Sequence, residues 1–478
     1  MDWQELRGKL HRDADLPERA FRLDALTRVL NNQHYEHLTY SFSEEYAGNE
    51  YIPLSMRRPS TPSNLCRVVV DDSVGFLFAD NHFPTIQGKD AAATAVMAAI
   101  VRDTNLQERM IDAATRGAVG SVALHLRVIE NQLLIDVLPT THLTPEWDAF
   151  RRNPKKVTEK MKVEPQELIA LGYDVDPKRG RHWFMRVWDA NEETWYLPWP
   201  VSDEKAKPVR DDNRSVVHAL GFCPIHWIKN LPGGDDFEGP CTFEAMISTV
   251  IEYDYLYSQG GRALRYAADP KLILKTDSTT PAVIGGAANA LELSKDSDAK
   301  YLELDGSAQS TMLEWLRELR NLALESTHGF RASSDKMTMP QSGKAMELLY
   351  KATISLASRM RISYGQCGIL SLMQMIARAA ERTPKGILVD NKYLNKIDVD
   401  GLHLNWPNWF EATAADTAQM AQAIHILTTG RVLSRETAIN NLAPIFDIAD
   451  TSEELKRIEK DPQPEAGSAT AEPKTPAI

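Results

Sequence analysis

The most constraining feature of this sequence is the run from Ser342 to about Arg382, whose apolar positions recur at helical spacing. Read as one helix of about 40 residues, it spans roughly 60 Å, twice the width of a small domain. A helix of that length needs neighbours along its whole course. The rest of the chain is therefore read for segments that supply them.

Length and composition set the outer bounds. The chain has 478 residues, with 54 Lys+Arg against 66 Asp+Glu, a net charge of −12, 43% apolar and 25% charged residues. These values are ordinary for a globular protein and exclude a collagen-like, mucin-like or wholly disordered chain. The length suits about two to four structural units with ample core. An acidic balance argues against a tight, sequence-independent grip on nucleic acid, although it permits DNA to slide past. Cys66, Cys223, Cys241 and Cys367 lie far apart without a C-x-x-C, which reads as reduced thiols in a cytosol-like compartment. The opening MDWQELRGKLHRD lacks the apolar core of a signal peptide, and no stretch approaches about 18 apolar residues, so no membrane span is expected.

Helical spacing runs from Met1 to about Gln33, interrupted near Pro17; residues 40–63 read as a loop, and 64–78 and 90–116 as helices, the latter stopping at Gly117. A β region follows. Ser121–Ile129 and 132–138 flank Glu130-Asn131, a two-residue hairpin turn; 183–188 and 194–199 flank residues 189–192 as a second hairpin holding four of the ten tryptophans. Those indoles are read as cover for a half-buried sheet, with an aromatic nucleotide platform as the alternative. The basic run 151–163 reads as a solvated helix face.

Beyond Pro232-Gly233-Gly234, Phe243, Met246, Ile247, Val250, Leu256 and Tyr257 form one apolar helical stripe ending before Pro270. Gly260-Gly261 inside it implies either close approach of a neighbouring helix or a kink. KLILK (271–275) and KYLEL (300–304) read as strands bounding a Thr/Gly/Pro-containing middle. A second long helix starts at Ser310 or Thr311, with Thr311 and Glu314 as a capping box, and carries Met312, Trp315, Leu316, Leu319, Leu322 and Ala323. After Pro384 come a strand-like 401–406, helices at 414–429 and 434–442, and a charged 451–460. The tail from 461 has the Pro/Ala/Glu composition of disorder.

No catalytic constellation is found. QSGKA at 341–345 is not a P-loop, because Thr338 stands where the first glycine belongs and Ala345 where a magnesium-binding Ser/Thr belongs. No G-x-G-x-x-G follows a strand, and there is no G-x-S-x-G. His34 and His37 lack H-E-x-x-H spacing and read as solvated side chains. The adjacent pairs Asp71-Asp72, Asp211-Asp212 and Asp235-Asp236 read as loop or cap charges. Catalytic and metal residues, and cofactors, are therefore expected to be none.

Six phrases in order carry a family likeness: HALGFCPIHWIKN (218–230), YDYLYS (253–258), ADPKLIL (268–274), SGKAM (342–346), TGRVLSRE (429–436) and DTSEEL (450–455). With the helix–insert–helix between 241 and 328, the chain resembles the portal proteins of tailed bacteriophages, the long-tailed siphophage type in particular. The departure is a short connection at 331–341, where that family carries its tunnel loop.

The resemblance implies an α+β, mainly α fold assembled as a ring, usually of twelve copies, at one capsid vertex. It assigns a wing (1–237), stem helices (238–268 and 309–330), a clip (269–308), a tunnel loop (331–341), a long wing helix (342–382), a crown (383–460) and a disordered tail (461–478). Implied partners are the terminase large subunit, major capsid and scaffolding protein, a head-completion or adaptor protein, and double-stranded DNA bound without sequence specificity. No membrane is implied; the site of action is the virion, after assembly in the host cytoplasm. Ser334, Asp335, Lys336, Met337, Thr338, Arg262 and Arg265 are the implied tunnel residues. Lys275, Asp277, Thr280, Glu292, Lys295 and Lys300 are the implied clip docking residues, and Met246, Val250, Tyr257, Trp315, Leu319 and Leu322 the implied ring-packing stem residues. The competing readings are another virion structural or scaffolding protein, and a metal-dependent nucleic-acid enzyme using scattered carboxylates with His34 and His37.

Overall fold

A computed structural model describes residues 2–13, 15–149, 153–203, 205–268, 271–275, 298–302, 307–327, 343–410, 414–443 and 451–460. The chain forms two units, Met1–Arg331 with Lys351–Pro407, and Ala332–Tyr350 with Asn408–Ile478. The fold is mixed and mainly helical, 47% helix and 20% strand.

The first unit packs helices around two antiparallel sheets. The smaller sheet has the order Ile225–Lys229, Ser121–Ile129, Gln132–Pro139. Its hairpin is the expected one. Ile129 faces Gln132, and both turn residues are left-handed, Glu130 at φ 51 and Asn131 at φ 67, which is the geometry of a two-residue turn matched to strand twist. Asn131 also donates its side-chain amide to Pro384 O at 2.9 Å, while its own carbonyl accepts from Leu388 N at 2.7 Å, docking the hairpin tip on the segment after the last long helix.

The larger sheet runs Val216–Val217, Glu192–Trp195, His182–Trp188, Pro154–Val163, Leu143–Trp147, with Trp199–Pro200 also paired to His182–Trp188. The second expected hairpin is present, its return strand shorter than anticipated. The basic run is a correction: Pro154–Val163 is a ten-residue strand, not a helix. Val157, Glu159 and Val163 are buried at even spacing while Lys160 and Lys162 lie on the other face over the Trp183 ring, 4.2 and 5.0 Å from its centre. The period of two decides the element, and the lysines decorate it.

Two expected long helices are broken. The 90–116 helix is Ala91–Asp103 and Leu106–Gly117, divided where Asn105 turns left-handed at φ 49. The 342–382 run is Gly343–Leu349, Lys351–Met360, a π-wound Arg361–Leu370 and Ser371–Arg382. Gly365 lies in the π stretch, where a Cβ would come within 2.7 Å of the Trp406 ring and 3.0 Å of Leu404. His403–Asn405 pairs with Thr85–Gln87 within the first unit. The carboxylates of Asp71-Asp72 are likewise inside a helix, Leu65–Phe78, rather than in a loop or cap.

In the second unit, Ala414–Thr429 matches its expectation residue for residue. Ser434 caps Arg435–Leu442, its hydroxyl accepting from Thr437 N at 3.1 Å. Thr451–Lys460 is the last described helix; the tail from 461 lies outside the described residues.

Candidate functional site

The helix–insert–helix is built from Ile247–Ala268 and Ser307–Ser326. Met312 lies against Gly260, and Thr327 contacts Met246 at 3.7 Å, so the two helices run antiparallel. A Cβ on Gly260 would sit 3.1 Å from the Met312 sulfur, whereas one on Gly261 meets nothing within 4 Å. The packing of Met312 on Gly260 favours the close-approach reading. Ser307 begins the second helix, so Thr311 lies inside it and the expected capping box does not mark its start. Between the helices, Lys271–Lys275 pairs antiparallel with Asp298–Leu302, the second strand beginning two residues before its expected position.

The implied stem residues divide by burial. Met246, Val250 and Leu319 are buried within the subunit, packed in its own core. Tyr257, Trp315 and Leu322 are exposed, at 42%, 53% and 53%, joined by Leu264 and Leu313 on the same two helices. Of the clip residues, Lys275 faces Asp298 across the ribbon and Lys300 faces Ile273. Asp277, Thr280, Glu292 and Lys295 lie outside the described residues, as do Ser334, Asp335, Lys336, Met337 and Thr338. Arg262 is ion-paired with Glu45, and Arg265 is exposed on the same helix face.

The buried face of Ile247–Ala268 carries polar groups that the apolar pattern did not reveal. Asp254 accepts from the Tyr35 hydroxyl at 3.0 Å and from Ser63 N at 2.8 Å; Ser258 accepts from Thr61 N at 3.3 Å; the Tyr255 hydroxyl donates to Arg57 O at 2.8 Å. This row stitches residues 57–63 onto the helix. Burial raises the Asp254 carboxyl to about 6, against the lowering effect of those hydrogen bonds. An aspartate inside the phrase YDYLYS, in register with apolar neighbours, was the available signal.

His34, expected as a solvated side chain, is instead inside the first unit. His34 is buried and neutral, its pKa lowered to about 4 by desolvation and by His37 beside it. Among the described residues no group of three or more His, Cys, Asp or Glu is placed to hold an ion. All four cysteines are free thiols.

A sequence profile described as phage portal protein, SPP1 Gp6-like, matches residues 13–467. The chain belongs to the phage portal protein family. No curated protein matches it. Two similar solved structures are the neck of an empty gene transfer agent particle computed with C6 symmetry (14% identity, covering 76% of this chain and 86% of that one, TM-score 0.40) and the virion of a native gene transfer agent particle (12%, 79% and 88%, 0.35). Membership of that family, and not the likeness to these particles, supports a portal role in a phage capsid. Among the described residues, no helix of the portal subunit is long and apolar enough to cross a membrane.

Proposed function

We propose that twelve copies close into a ring at one capsid vertex, through which double-stranded DNA is packaged and later ejected. The observation that carries this reading is the antiparallel pair Ile247–Ala268 and Ser307–Ser326, which leaves Tyr257, Leu264, Leu313, Trp315 and Leu322 exposed on one subunit. Burying the half of each side chain that is still exposed is worth on the order of 1 kcal/mol, and a closed ring buries all of them symmetrically.

On this reading the two helices are the stem and 269–308 the clip, where the terminase large subunit docks during packaging and a head-completion protein afterwards. Residues 331–341 are the tunnel loop, with Ser334 to Thr338 nearest the DNA. Capsid and scaffolding protein contact the ring from outside, and assembly takes place in the host cytoplasm. The subunit performs no catalysis and needs no cofactor. Deleting 271–307 tests the clip assignment, because packaging must then fail while the remaining fold and the ring persist. Unimpaired packaging would favour a different structural role.

A further inference from the structure

We propose that a cavity of about 430 Å³ on the first unit, lined by Arg58, Arg262, Arg265, Ser41, Ser43 and Ser60, binds a phosphate group. All of its lining residues belong to one subunit, so the proposal stands or falls independently of ring assembly.

Its charge is unusual for this chain. Acidic residues outnumber basic ones, 66 to 54, yet three guanidiniums line one recess. Glu45 pairs with Arg262, and Glu44 accepts from the backbone of Ser41 at 3.3 Å. Among the described residues neither Arg58 nor Arg265 has an ion-pair partner. Three cations against two nearby acids, one of them already engaged by a guanidinium, leave a positive recess on an acidic protein.

The positions are fixed by the backbone. Tyr40–Ser41 and Arg57–Arg58 form a parallel pair in which Ser41 lies beside Arg58. Arg262 and Arg265 are three apart on a continuous helix, hence on one face. The segment carrying Arg58 and Ser60 is held on both sides, by Tyr255 donating to Arg57 O and by Thr61 N donating to Ser258. Arg57 is itself buried and donates Nε and Nη2 to Ile52 O at 2.9 and 2.6 Å, which leaves Arg58 as the member of the pair turned outward. Phe42 and Pro59 are buried beneath the rim.

The donor set selects the ligand. Guanidiniums give paired, planar N–H donors suited to phosphate oxygens, and hydroxyls supply further single donors. A tetrahedral phosphate has enough acceptors for three guanidiniums and adjacent serines, whereas a carboxylate has two oxygens. The volume exceeds that of a lone ion and leaves space for whatever carries the phosphate. A nucleic-acid phosphodiester and a free phosphate or phosphate ester share this chemistry.

The test uses the full-length protein and the exposed-residue variants Arg58→Gln, Arg265→Gln and the double variant, with circular dichroism verifying the fold. Titration calorimetry with inorganic phosphate, against chloride at equal ionic strength, forms one arm. Fluorescence anisotropy with a short DNA duplex across a salt series forms the other. Each single substitution is expected to weaken the responding ligand by about tenfold or more. If duplex is the responder, the slope of log K against log salt falls by about one per substitution. Loss in the phosphate arm alone identifies a free phosphate, and loss in the duplex arm identifies a phosphodiester. The proposal is overturned if the wild type binds neither probe, or if the double variant binds both as tightly as the wild type.

Discussion

The Tyr364 hydroxyl donates to the side-chain oxygen of Asn230 at 3.0 Å, inside the core of the first unit. The Asn230 amide in turn donates to Pro240 O at 2.8 Å, Thr242 Oγ1 at 2.9 Å and Ala118 O at 3.3 Å. Two side chains thereby join the π-wound segment, the end of the small sheet, the approach to the first long helix of the helix–insert–helix, and the end of Leu106–Gly117. Gly117 makes room for the phenol, since any Cβ there would collide with the Tyr364 hydroxyl. Tyr364→Phe strands a buried acceptor and is expected to lower unfolding free energy by about 1–3 kcal/mol. Gly117→Ala overpacks the same point, at a similar cost. Denaturant midpoints check both; wild-type values in either variant would show that the network does not hold these elements together.

Asp254 gives a pH signature. Its carboxyl rises from 3.8 to about 6 on folding, so the folded state holds the proton more tightly. Its contribution is full below the unfolded value and is lost as pH rises from about 4 through about 6, a change of roughly 3 kcal/mol. Buried His34, His125 and His226, lowered to about 4, 3 and 4, work in the opposite sense and lose stability as pH falls below 6.5. The difference between Asp254→Asn and wild type isolates the carboxyl. Unfolding free energies across pH 4–7 should shift in favour of the variant by roughly 3 kcal/mol as pH rises. Parallel curves for the two proteins would contradict this.

Gly260 and Gly261 are adjacent yet should respond oppositely. Gly261 faces open space in the subunit, so Gly261→Ala removes a helix-interior glycine and should stabilise the isolated subunit by about 0.5–1 kcal/mol. Gly260→Val drives a branched side chain into Met312 and should destabilise it by about 1–3 kcal/mol. Equal responses in denaturant titrations would remove close helix approach as the reason for Gly260.

Features set by local chemistry were legible in the sequence. Glu130-Asn131 reads as a turn because so few residues accept two left-handed positions, and the 247–268 helix because its apolar stripe is long and ends before a proline. Features set by partners distant in sequence were not. Lys160 and Lys162 suggested a solvated helix because their destination, Trp183, comes from another strand. The need for a residue without a side chain at Gly365 comes from Trp406 and Leu404, and the burial of Asp254 from Tyr35 and Ser63, some 200 residues upstream. The family likeness located the helix–insert–helix, yet burial alone separated Met246, Val250 and Leu319 from the exposed Tyr257, Trp315 and Leu322.

That separation makes a prediction about substitutions. Leu319→Asp buries a charge in the subunit and should unfold it or lower its stability by several kcal/mol. Trp315→Glu acts on an exposed position and should leave the subunit's circular dichroism and denaturant midpoint unchanged while weakening assembly. Intact assembly in Trp315→Glu would remove this face from the ring contact.

Ring closure is the central claim, and mass measures it most directly. Native mass spectrometry or light scattering on the purified chain, backed by images down the symmetry axis, should give a particle of twelve 53.6 kDa subunits around an open centre. A species that stays at one subunit mass at every concentration, with no axial opening, would contradict it.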